Sequence, residues 1–408
     1  MFGWLTAVSY INGRIVTPDG DARSIRVRRR ILSLDEPPQP GDHVVDLGGR
    51  VVLPGLINAH DHLELNHYGR LKVRERYGNA REWIADLEPL VKGDADIIRK
   101  SRIALGDRLF IGGLKNVLSG VTTVAHHNPL YREFGHHFPL RVVQQFGWAH
   151  SLGLEHGPAG AHGEPGGVVA DRCAATAPGR PFIVHAAEGV DATASTELAA
   201  LDDRGCLRPN TVLVHGLAIA PAQWHELFAR GVSLCWCPSS NAFLFGRTLC
   251  LRSVLESPAA EGHIALGSDS RVTGSADLLD ELRVAAASGV SAGVLALMVT
   301  SWAAQVLRLD DAGRIRVGAP ADLLVLPPTS DTPGEALLRC RRADVSMVVR
   351  RGTPVVGEPA LRRAFECRGI HVRPIEIDGA GRLMEASLAR RIERCLIEEP
   401  GVRCLPAA

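Results

Sequence analysis

The chain has 408 residues, 46% of them hydrophobic, which is enough for one large folded domain with a smaller companion. Its 46 Lys and Arg residues balance 45 Asp and Glu residues, so no charged surface for nucleic acid or anionic membrane is expected, and a small molecule is the expected partner. Residues 1–11 do not show the charged start and cleavage site typical of a secretory signal, and no early apolar run is long enough to span a membrane. The nine cysteines have no disulfide spacing. We therefore expect a cytoplasmic enzyme with reduced thiols.

Three zones follow one another along the chain. Residues 1–54 contain short alternating runs separated by Gly, Pro and Asp turns, which predicts small β-structure. In residues 55–312, short apolar runs alternate with longer helical patterns, and this order at this length predicts a parallel (β/α)8 barrel of the TIM type. Strand-like runs return in residues 313–360. We predict an α/β fold in which both end zones, 1–54 and 313–360, form a small companion β-sandwich domain.

One strand of the predicted barrel is hard to place. Between the run 140–152 and the strand before His185, the sequence shows only a glycine-rich loop at 157–167 and one short helix. The fourth barrel strand is therefore not identified, and we expect the barrel to be irregular there.

The C-terminal extension, residues 361–408, has a different pattern. Met384, Leu388, Ile392 and Leu396 recur every four residues among Arg and Glu, which predicts an amphipathic helix. Its apolar stripe must pack on the barrel or on a second subunit. Because closed symmetric dimers are the commonest oligomers, we expect a homodimer.

A histidine pair ends the first strand of the barrel zone. His60 and His62 follow the apolar run 51–59, and side chains two apart on a strand point to the same side, so both imidazoles can bind one cation. Three later strand-like runs also end in possible ligands, namely His185, His215 and Asp269. These side chains therefore fall at the C-terminal ends of strands, the face where such a barrel carries its active site.

These side chains suit metal-assisted hydrolysis. Three neutral imidazoles and one carboxylate around a divalent cation leave an open position for water, and a catalytic zinc lowers the pKa of that water to about 7, which yields a nucleophilic hydroxide. Glu188, three residues after His185, can take the water's proton and deliver it to a substrate nitrogen. Hydrolysis at an amidine-like carbon requires such a carrier. The alternative is that Glu188 only caps the following helix.

Together, these motifs resemble the amidohydrolase superfamily over residues 12–352. The motifs are VLPGLINAHDH (52–62), GVTT (120–123), HAAE (185–188), His215, CPSSN (237–241), GSD (267–269) and the segment 313–326. Within the superfamily, HAAE and CPSSN are similar to the mononuclear aminohydrolase and chlorohydrolase branch, which includes cytosine, guanine and S-adenosylhomocysteine deaminases.

The resemblance implies a ligand set and roles for the site residues. It implies zinc, or sometimes iron, on His60, His62, His185 and Asp269. It further implies that His215 orients or polarises the attacking water or the tetrahedral centre, with Glu188 as the proton shuttle.

The number of metal ions follows from a missing residue type. No lysine occurs between positions 140 and 185, where binuclear members of the superfamily usually place a carboxylated bridging lysine. We therefore expect one Zn²⁺ per chain, with Fe²⁺ as the alternative.

Polar and aromatic side chains on nearby loops are candidate substrate contacts. The segment 63–77 follows the histidine pair and is predicted to form the first long loop over the pocket. The candidates are Glu64, Asn66, His67, Arg74, His127, Trp148 and Asn241. An exposed loop position is the alternative for His127, and a place in the core is the alternative for Trp148.

We predict a metal-dependent hydrolase of a carbon–nitrogen bond that deaminates an aromatic or amidine-containing small molecule and releases ammonia. An alternative in the same pocket is hydrolysis of a cyclic amide, an imide or a halogenated ring. A catalytically silent barrel that serves as a scaffold is the remaining alternative. It fits less well because every candidate ligand and Glu188 are present.

Overall fold

The computed structural model describes residues 6–135, 137–154 and 169–406, so the glycine-rich loop at 157–167 lies outside the described residues. The chain begins with short strands: β1 (Val8–Ile11), β2 (Arg14–Thr17), β3 (Gly20–Ala22), β4 (Ile25–Val27), β5 (Ile31–Leu34), β6 (His43–Asp46) and β7 (Arg50–Pro54). Four of them form a sheet in the order β5-β4-β1-β6. In this sheet β1 pairs with β6 in parallel, and the other pairs are antiparallel.

Eight parallel strands follow in the described part of the chain. They are β8 (Leu56–Asp61), β9 (Val121–His126), β10 (Arg141–Val142), β11 (Gly147–Ala149), β12 (Phe182–Ala186), β13 (Thr211–His215), β14 (Ser233–Trp236) and β15 (Ile264–Leu266). They pair in two arcs, β10-β9-β8 and β11-β12-β13-β14-β15. The backbone N–H of Asp269, after β15, donates to the carbonyl of His60 in β8 at 3.0 Å. This contact joins the first strand to the eighth.

Helices connect these strands, because parallel neighbours need long crossover connections. In this part of the chain the helices are α1 (Ala80–Gly93), α2 (Ala95–Ser101), α3 (Leu105–Leu118), α4 (Val169–Ala175), α5 (Ala192–Asp203), α6 (Pro221–Ala229), α7 (Pro238–Phe245), α8 (Leu251–Leu255), α9 (Leu278–Ala286), α10 (Ala292–Met298) and α11 (Ser301–Val306). Short 3-10 helices span Leu63–Leu65, Arg132–Phe134 and Leu152–Leu154. The alternation confirms the predicted barrel-like α/β fold. None of the described helices is both long and apolar enough to cross a membrane.

The strand that the sequence did not reveal is β11. It pairs in parallel with β12, with Trp148 opposite Ile183. Both β10 and β11 lie inside the single run 140–152, and they contain only two and three residues. Because no α-helix separates these two strands, the barrel is irregular at this point.

The last part of the described chain returns to antiparallel structure. Its elements are β16 (Leu323–Pro328), α12 (Pro333–Arg339), β17 (Met347–Arg350), β18 (Thr353–Gly357), α13 (Arg362–Glu366), β19 (Val372–Ile377), β20 (Ala380–Glu385), α14 (Ala386–Arg394) and β21 (Val402–Cys404), with 3-10 helices at Arg342–Asp344 and Pro359–Leu361. The nine-stranded sheet has the order β21-β19-β20-β18-β17-β16-β7-β2-β3. Because β16 pairs with β7, both ends of the chain share this sheet. One apolar core includes residues of both the four-stranded and the nine-stranded sheet, among them Val8, Ile25, Val52, Leu323 and Met347.

The C-terminal extension differs in part from the prediction. The helix α14 forms and buries Leu388 on its apolar stripe. Met384, however, lies in β20, where it pairs with Val356 of β18. Leu396 lies beyond the end of the helix and is 76% exposed. These two residues were wrongly assigned to the helix, because pairing with the sheet holds the chain extended up to Glu385.

Ion pairs attach the extension to the barrel. Arg391 of α14 lies 2.5 Å from the carboxylate of Asp107 at the start of α3. Glu399, whose side chain is fully buried, accepts hydrogen bonds from Arg271 at 2.6 and 2.8 Å and from Arg342 at 2.6 Å. The extension therefore packs against its own barrel, next to the segment that follows Asp269.

Candidate metal centre and active site

The ends of four parallel strands bring the predicted ligands together. His60 lies in β8 and His62 directly follows it, His185 lies in β12, and His215 is the last residue of β13. The register of β12 and β13 places Ala186 opposite His215, so the two histidines stand at neighbouring positions. Asp269 follows β15 on the same face of the barrel.

The possible ligand atoms of these side chains lie within a few ångströms of one another. The Nε2 atoms of His60 and His185 are 3.3 Å apart. The Asp269 Oδ1 atom lies 3.9 Å from the Nε2 atoms of both His60 and His62. Ligand atoms of His60, His185 and His215 all lie within 4.8 Å of one another. The structure thus places all five predicted side chains around one point.

The donor chemistry of the cluster fits a zinc ion. Burial, followed by the charges of neighbouring imidazoles, lowers the pKa of His60 well below its usual value and that of His185 to about 3. Both rings are therefore neutral near pH 7 and offer nitrogen lone pairs. Imidazole nitrogens with one carboxylate oxygen are a ligand set that Zn²⁺ accepts readily.

Asp269 is held in one orientation and in its ionised form. Its backbone has a left-handed φ of 53°, a conformation that non-glycine residues seldom adopt outside constrained sites. Ser270 N–H donates to Oδ1 at 2.6 Å, and the hydroxyls of Ser240 and Thr273 each donate to Oδ2 at 2.9 Å. Burial alone would raise the pKa of Asp269, but the nearby His62 and other imidazoles lower it overall.

Hydrogen bonds on the far ring nitrogens select the tautomers of two histidines. The Nδ1 atom of His185 lies 2.9 Å from the carbonyl of His150, and that of His215 lies 3.0 Å from Oδ1 of Asn241. Because these oxygens only accept, each Nδ1 carries the proton. The Nε2 lone pairs of both rings therefore face the cluster.

A second histidine orients His60 in the same way. His127 is buried, and its Nε2 atom lies 2.9 Å from the carbonyl of Ala149, so Nε2 carries the proton. Its Nδ1 atom can then accept from Nδ1 of His60 at 3.4 Å. This leaves Nε2 of His60 free of a proton, directed at the cluster. A substrate contact for His127 stays a prediction.

Glu188 lies beside the cluster with a carboxyl that favours its protonated form. Its Oε1 atom is 3.5 Å from Nε2 of His215. Burial, then the negative charges of Asp269 and Glu197, raise the pKa of Glu188 well above its usual value. The alternative that Glu188 caps the next helix is wrong, because the side chain of Asp191 caps α5.

The other predicted substrate contacts fall into two groups. Asn241 and Trp148 adjoin the cluster, Asn241 through His215 and Trp148 through edge contacts with the rings of His127 and His150, at centroid distances of 5.6 and 5.2 Å. Asn241 is fully buried, and its amide nitrogen also lies 3.4 Å from the hydroxyl of Thr248, so contact of either residue with substrate stays a prediction.

The remaining candidates contact other protein groups. Glu64 is buried and accepts from Asn128, and Asn66 is buried against Asp61 and Lys115. His67 Nε2 lies 3.2 Å from the carbonyl of Lys100. Arg74 forms a partly exposed ion pair with Asp86 at 2.7 Å. The structure therefore does not bring these four candidates to the histidine cluster, and their contact with substrate stays a prediction.

A buried ion pair at this site was not predicted from the sequence. Behind the histidines, Lys115 and Asp61 form a fully buried ion pair with the side chains of Asn58, Asn66 and Asn116 around it. The available signal was weak: a single lysine in the apolar half of helix α3, and an aspartate between two metal ligands.

Comparisons with known proteins show what this chain is similar to. Residues 177–355, which include His185, His215 and Asp269, match the Amidohydrolase family. The 5-methylthioadenosine/S-adenosylhomocysteine deaminase of Halobacterium salinarum is 29% identical over 359 residues, which cover 76% of this chain and 80% of that protein.

Two zinc-bound crystal structures share the fold. An adenosine deaminase from Xanthomonas campestris superposes with a TM-score of 0.66 at 17% identity, and atrazine chlorohydrolase from Arthrobacter aurescens superposes with a TM-score of 0.67 at 16% identity. Each match covers 89% of this chain, together with 98% of the adenosine deaminase and 99% of the chlorohydrolase. The chain is thus similar to the Amidohydrolase family over residues 177–355, a segment that holds three of the five clustered side chains, and it shares its fold with these two zinc-bound structures.

Proposed function

We propose that this hydrolase of carbon–nitrogen bonds removes the amino group from an aminopurine carried by a nucleoside-like small molecule and releases ammonia. The observation that carries the proposal is the position of Glu188. Its carboxyl lies 3.5 Å from His215 at the edge of the ligand cluster, and burial raises its pKa. A deaminase needs a proton carrier at this place, because the leaving nitrogen departs only after it gains a proton.

The side chains have separate tasks in this proposal. His60, His62, His185 and Asp269 would hold one zinc ion, which when bound supplies an activated water as nucleophile. Glu188, protonated at the start, would first donate its proton to the ring nitrogen of the amidine. Its carboxylate would then accept the proton released as the water adds to the amidine carbon, and would deliver that proton to the amino nitrogen. The carbon–nitrogen bond then breaks, and ammonia leaves.

His215 contributes to the same step by orientation. Its Nδ1–H is fixed on Asn241, so Nε2 points towards Glu188 and the space above the ligands. From there the ring contacts the reacting centre and polarises it. The left-handed φ of His215, 72°, indicates that the surrounding structure holds this residue in a conformation that non-glycine residues seldom adopt.

The substrate class is suggested by the relatives. The protein from Halobacterium salinarum is named for 5-methylthioadenosine and S-adenosylhomocysteine, and it matches over 80% of its length. A relative from Methanoregula boonei that matches a shorter segment is named 5'-deoxyadenosine deaminase. All three names describe adenine nucleosides altered at the 5' end. We propose an amino-substituted purine nucleoside of this kind, with one Zn²⁺ per chain.

A second candidate is hydrolysis of a halogenated ring. One observation favours it: the fold matches an atrazine chlorohydrolase with a TM-score of 0.67, beside 0.66 for the adenosine deaminase. The same cluster and the same proton carrier would serve, but chloride would leave in place of ammonia.

The test is a substrate panel on the purified, zinc-loaded protein. The panel contains adenosine, 5-methylthioadenosine, S-adenosylhomocysteine, amino-pyrimidines, pterins, cyclic amides and a chlorotriazine, and both ammonia and chloride are measured. We expect ammonia in equal amount to product from the purine nucleosides, and no release from Glu188→Gln. Chloride release or ring opening alone would contradict deamination and favour the second candidate.

Two proposals concern assembly. The four-stranded and the nine-stranded sheet are proposed to act as one companion β-sandwich domain, since both contribute to a common apolar core. A homodimer is proposed because helix α1 has no buried residue, while Trp83, Ile84 and Leu87 on it are only half-buried. Light scattering at micromolar concentration should give twice the chain mass, and a single chain mass would contradict the dimer.

A further inference from the structure

A fully enclosed ion pair lies directly behind the ligand cluster. Lys115 Nζ is 2.9 Å from Oδ2 of Asp61, and neither side chain has any exposed surface. Asp61 is the residue between His60 and His62, so its side chain leaves β8 on the side opposite to theirs. It reaches helix α3, which supplies Lys115. The pair is therefore separated from the cluster by the thickness of one strand.

The carboxylate of Asp61 is saturated with donors. Besides Lys115, the side-chain amides of Asn116 and Asn66 donate to it at 2.8 and 2.9 Å. Asn58 connects the same network to the eighth strand, because its Nδ2 donates to the hydroxyl of Ser268 at 2.8 Å. The residue between the two histidine ligands is thus fixed from several directions.

The ammonium group of Lys115 spans both ends of the ligand set. It donates to Oδ1 of Asn66 at 2.8 Å and to the hydroxyl of Ser268 at 3.3 Å. It also donates to the backbone carbonyl of Asp269, the carboxylate ligand, at 3.2 Å. One cation therefore contacts the strand that carries the histidine pair and the segment that carries Asp269, where the first and eighth strands meet.

The buried charges of this ion pair are not expected to stabilise the fold. Removing an ammonium and a carboxylate completely from water is costly, and apolar side chains of the same volume commonly stabilise a core as well or better. The ion pair instead fixes the relative positions of the groups that it joins, because charge-assisted hydrogen bonds are more directional than apolar contacts. The groups joined here are those that set the spacing of the ligands.

We propose that Lys115 is a positioning residue of the metal centre. It holds the backbone of Asp269 at a set distance from the histidine pair through Asp61, and so determines how tightly the cluster binds zinc. The inference rests on the proposed metal site. The inference concerns how the metal site is assembled and not which substrate it takes. Its deciding measurement is therefore the affinity for zinc.

The experiment compares four forms of the full chain: the parent, Lys115→Met, the double variant Lys115→Met with Asp61→Asn, and the control Lys92→Met. Lys92 forms an exposed pair on α1, with 72% of its side chain in solvent. For each form, the zinc dissociation constant is measured by competition with a chromogenic chelator, together with the thermal midpoint and the kcat of the zinc-saturated protein.

We expect Lys115→Met to weaken zinc binding by about tenfold to a hundredfold, the usual effect of removing a group that orients a ligand. It should also lower the thermal midpoint, because Asp61 is left charged and buried without its cation. In the double variant no buried charge is unpaired, so the thermal midpoint should recover. Zinc affinity should stay low, since the carbonyl of Asp269 still lacks its donor. The control should match the parent in all three measurements.

Two results would overturn the inference in different ways. A double variant that regains zinc affinity along with stability would show that the pair acts only through folding. Parent-like zinc affinity in Lys115→Met would also show that the pair acts only through folding. If Lys115→Met does not fold, the zinc affinity of the double variant decides.

A separate variant tests the metal centre itself. If His60→Ala binds zinc as tightly as the parent does, the proposed metal centre is wrong, and the inference about Lys115 fails with it.

Discussion

Glu188→Gln tests the centre of the proposed chemistry. The substitution keeps the size and the polarity of the side chain beside His215, but an amide cannot carry a proton between water and the leaving nitrogen. General acid–base catalysis by one positioned group is worth about 10²–10⁴ in rate, or about 3–5 kcal/mol of the activation barrier. We therefore expect kcat to fall by two orders of magnitude or more.

The structure indicates that the full loss will appear. Glu197 lies near Glu188, but its carboxylate accepts the backbone N–H of Ala187 at 2.8 Å and faces Arg81. Asp269 is occupied by three hydrogen-bond donors. Neither carboxyl is placed to take over the proton.

The assay pairs turnover with metal content. Ammonia release is followed at saturating substrate and zinc, and elemental analysis measures the bound metal. The Glu188→Gln protein should retain parent-like zinc, because Glu188 is not among the ligands. Asp269→Asn should lose both activity and metal, because a charged ligand is gone. Parent-like turnover by Glu188→Gln would refute the proton carrier, and loss of zinc from that variant would make Glu188 a ligand.

Three further outcomes follow from other contacts. His60→Ala should contain far less zinc than the parent by elemental analysis, because the ligand common to both triplets of clustered donors is lost. Glu399→Gln removes the buried carboxylate that Arg271 and Arg342 share; Arg342 keeps Asp378, but Arg271 loses its carboxylate partner, so the free energy of unfolding in urea should fall by about 3 kcal/mol. Glu376→Gln, which breaks the pair with the exposed Arg403, should cost under about 1 kcal/mol. The hydrogen bond from Arg26 lowers the pKa of Asp42, so its stabilisation is present above the unfolded-state pKa and is lost as pH falls. Asp42→Asn should therefore reduce the difference between the thermal midpoints at about pH 7 and about pH 3.

The ligand cluster was predictable from the sequence because each member has a local signal. A strand places residues two apart on one face, and parallel strands bring their C-terminal ends to one edge. His60 and His62 follow the first rule, and His185 and His215 follow the second. These rules use only positions along the chain, so they need no knowledge of packing.

The short barrel strands were not predictable for the opposite reason. The strands Arg141–Val142 and Gly147–Ala149 are too short to show a period of two. Their extended form comes from pairing with strands that lie elsewhere in the sequence. In the same way, sheet pairing and not local periodicity decides that Met384 is in a strand.

Lys115 shows a third limit of sequence reasoning. A lysine in a helix is normally read as exposed, since ammonium groups are seldom fully buried. Its place in the core depends on Asp61, which lies 54 positions earlier in the chain and was read only as the spacer between two ligands. Neither residue alone indicates burial, and the pair exists only once α3 packs on β8.

The site thus contains three acidic side chains in three different surroundings. Asp61 is paired with an enclosed ammonium group, which cancels its charge within the barrel wall. Asp269 receives three hydrogen bonds and stays ionised towards the imidazoles. Glu188 receives no hydrogen bond of this kind from the residues that the structure describes, and burial favours its protonated form. Carboxyls that differ in this way can divide the work of structure, ligand and proton carrier. In the proposed deamination, Asp269 holds the metal while Glu188 exchanges the proton with the leaving nitrogen.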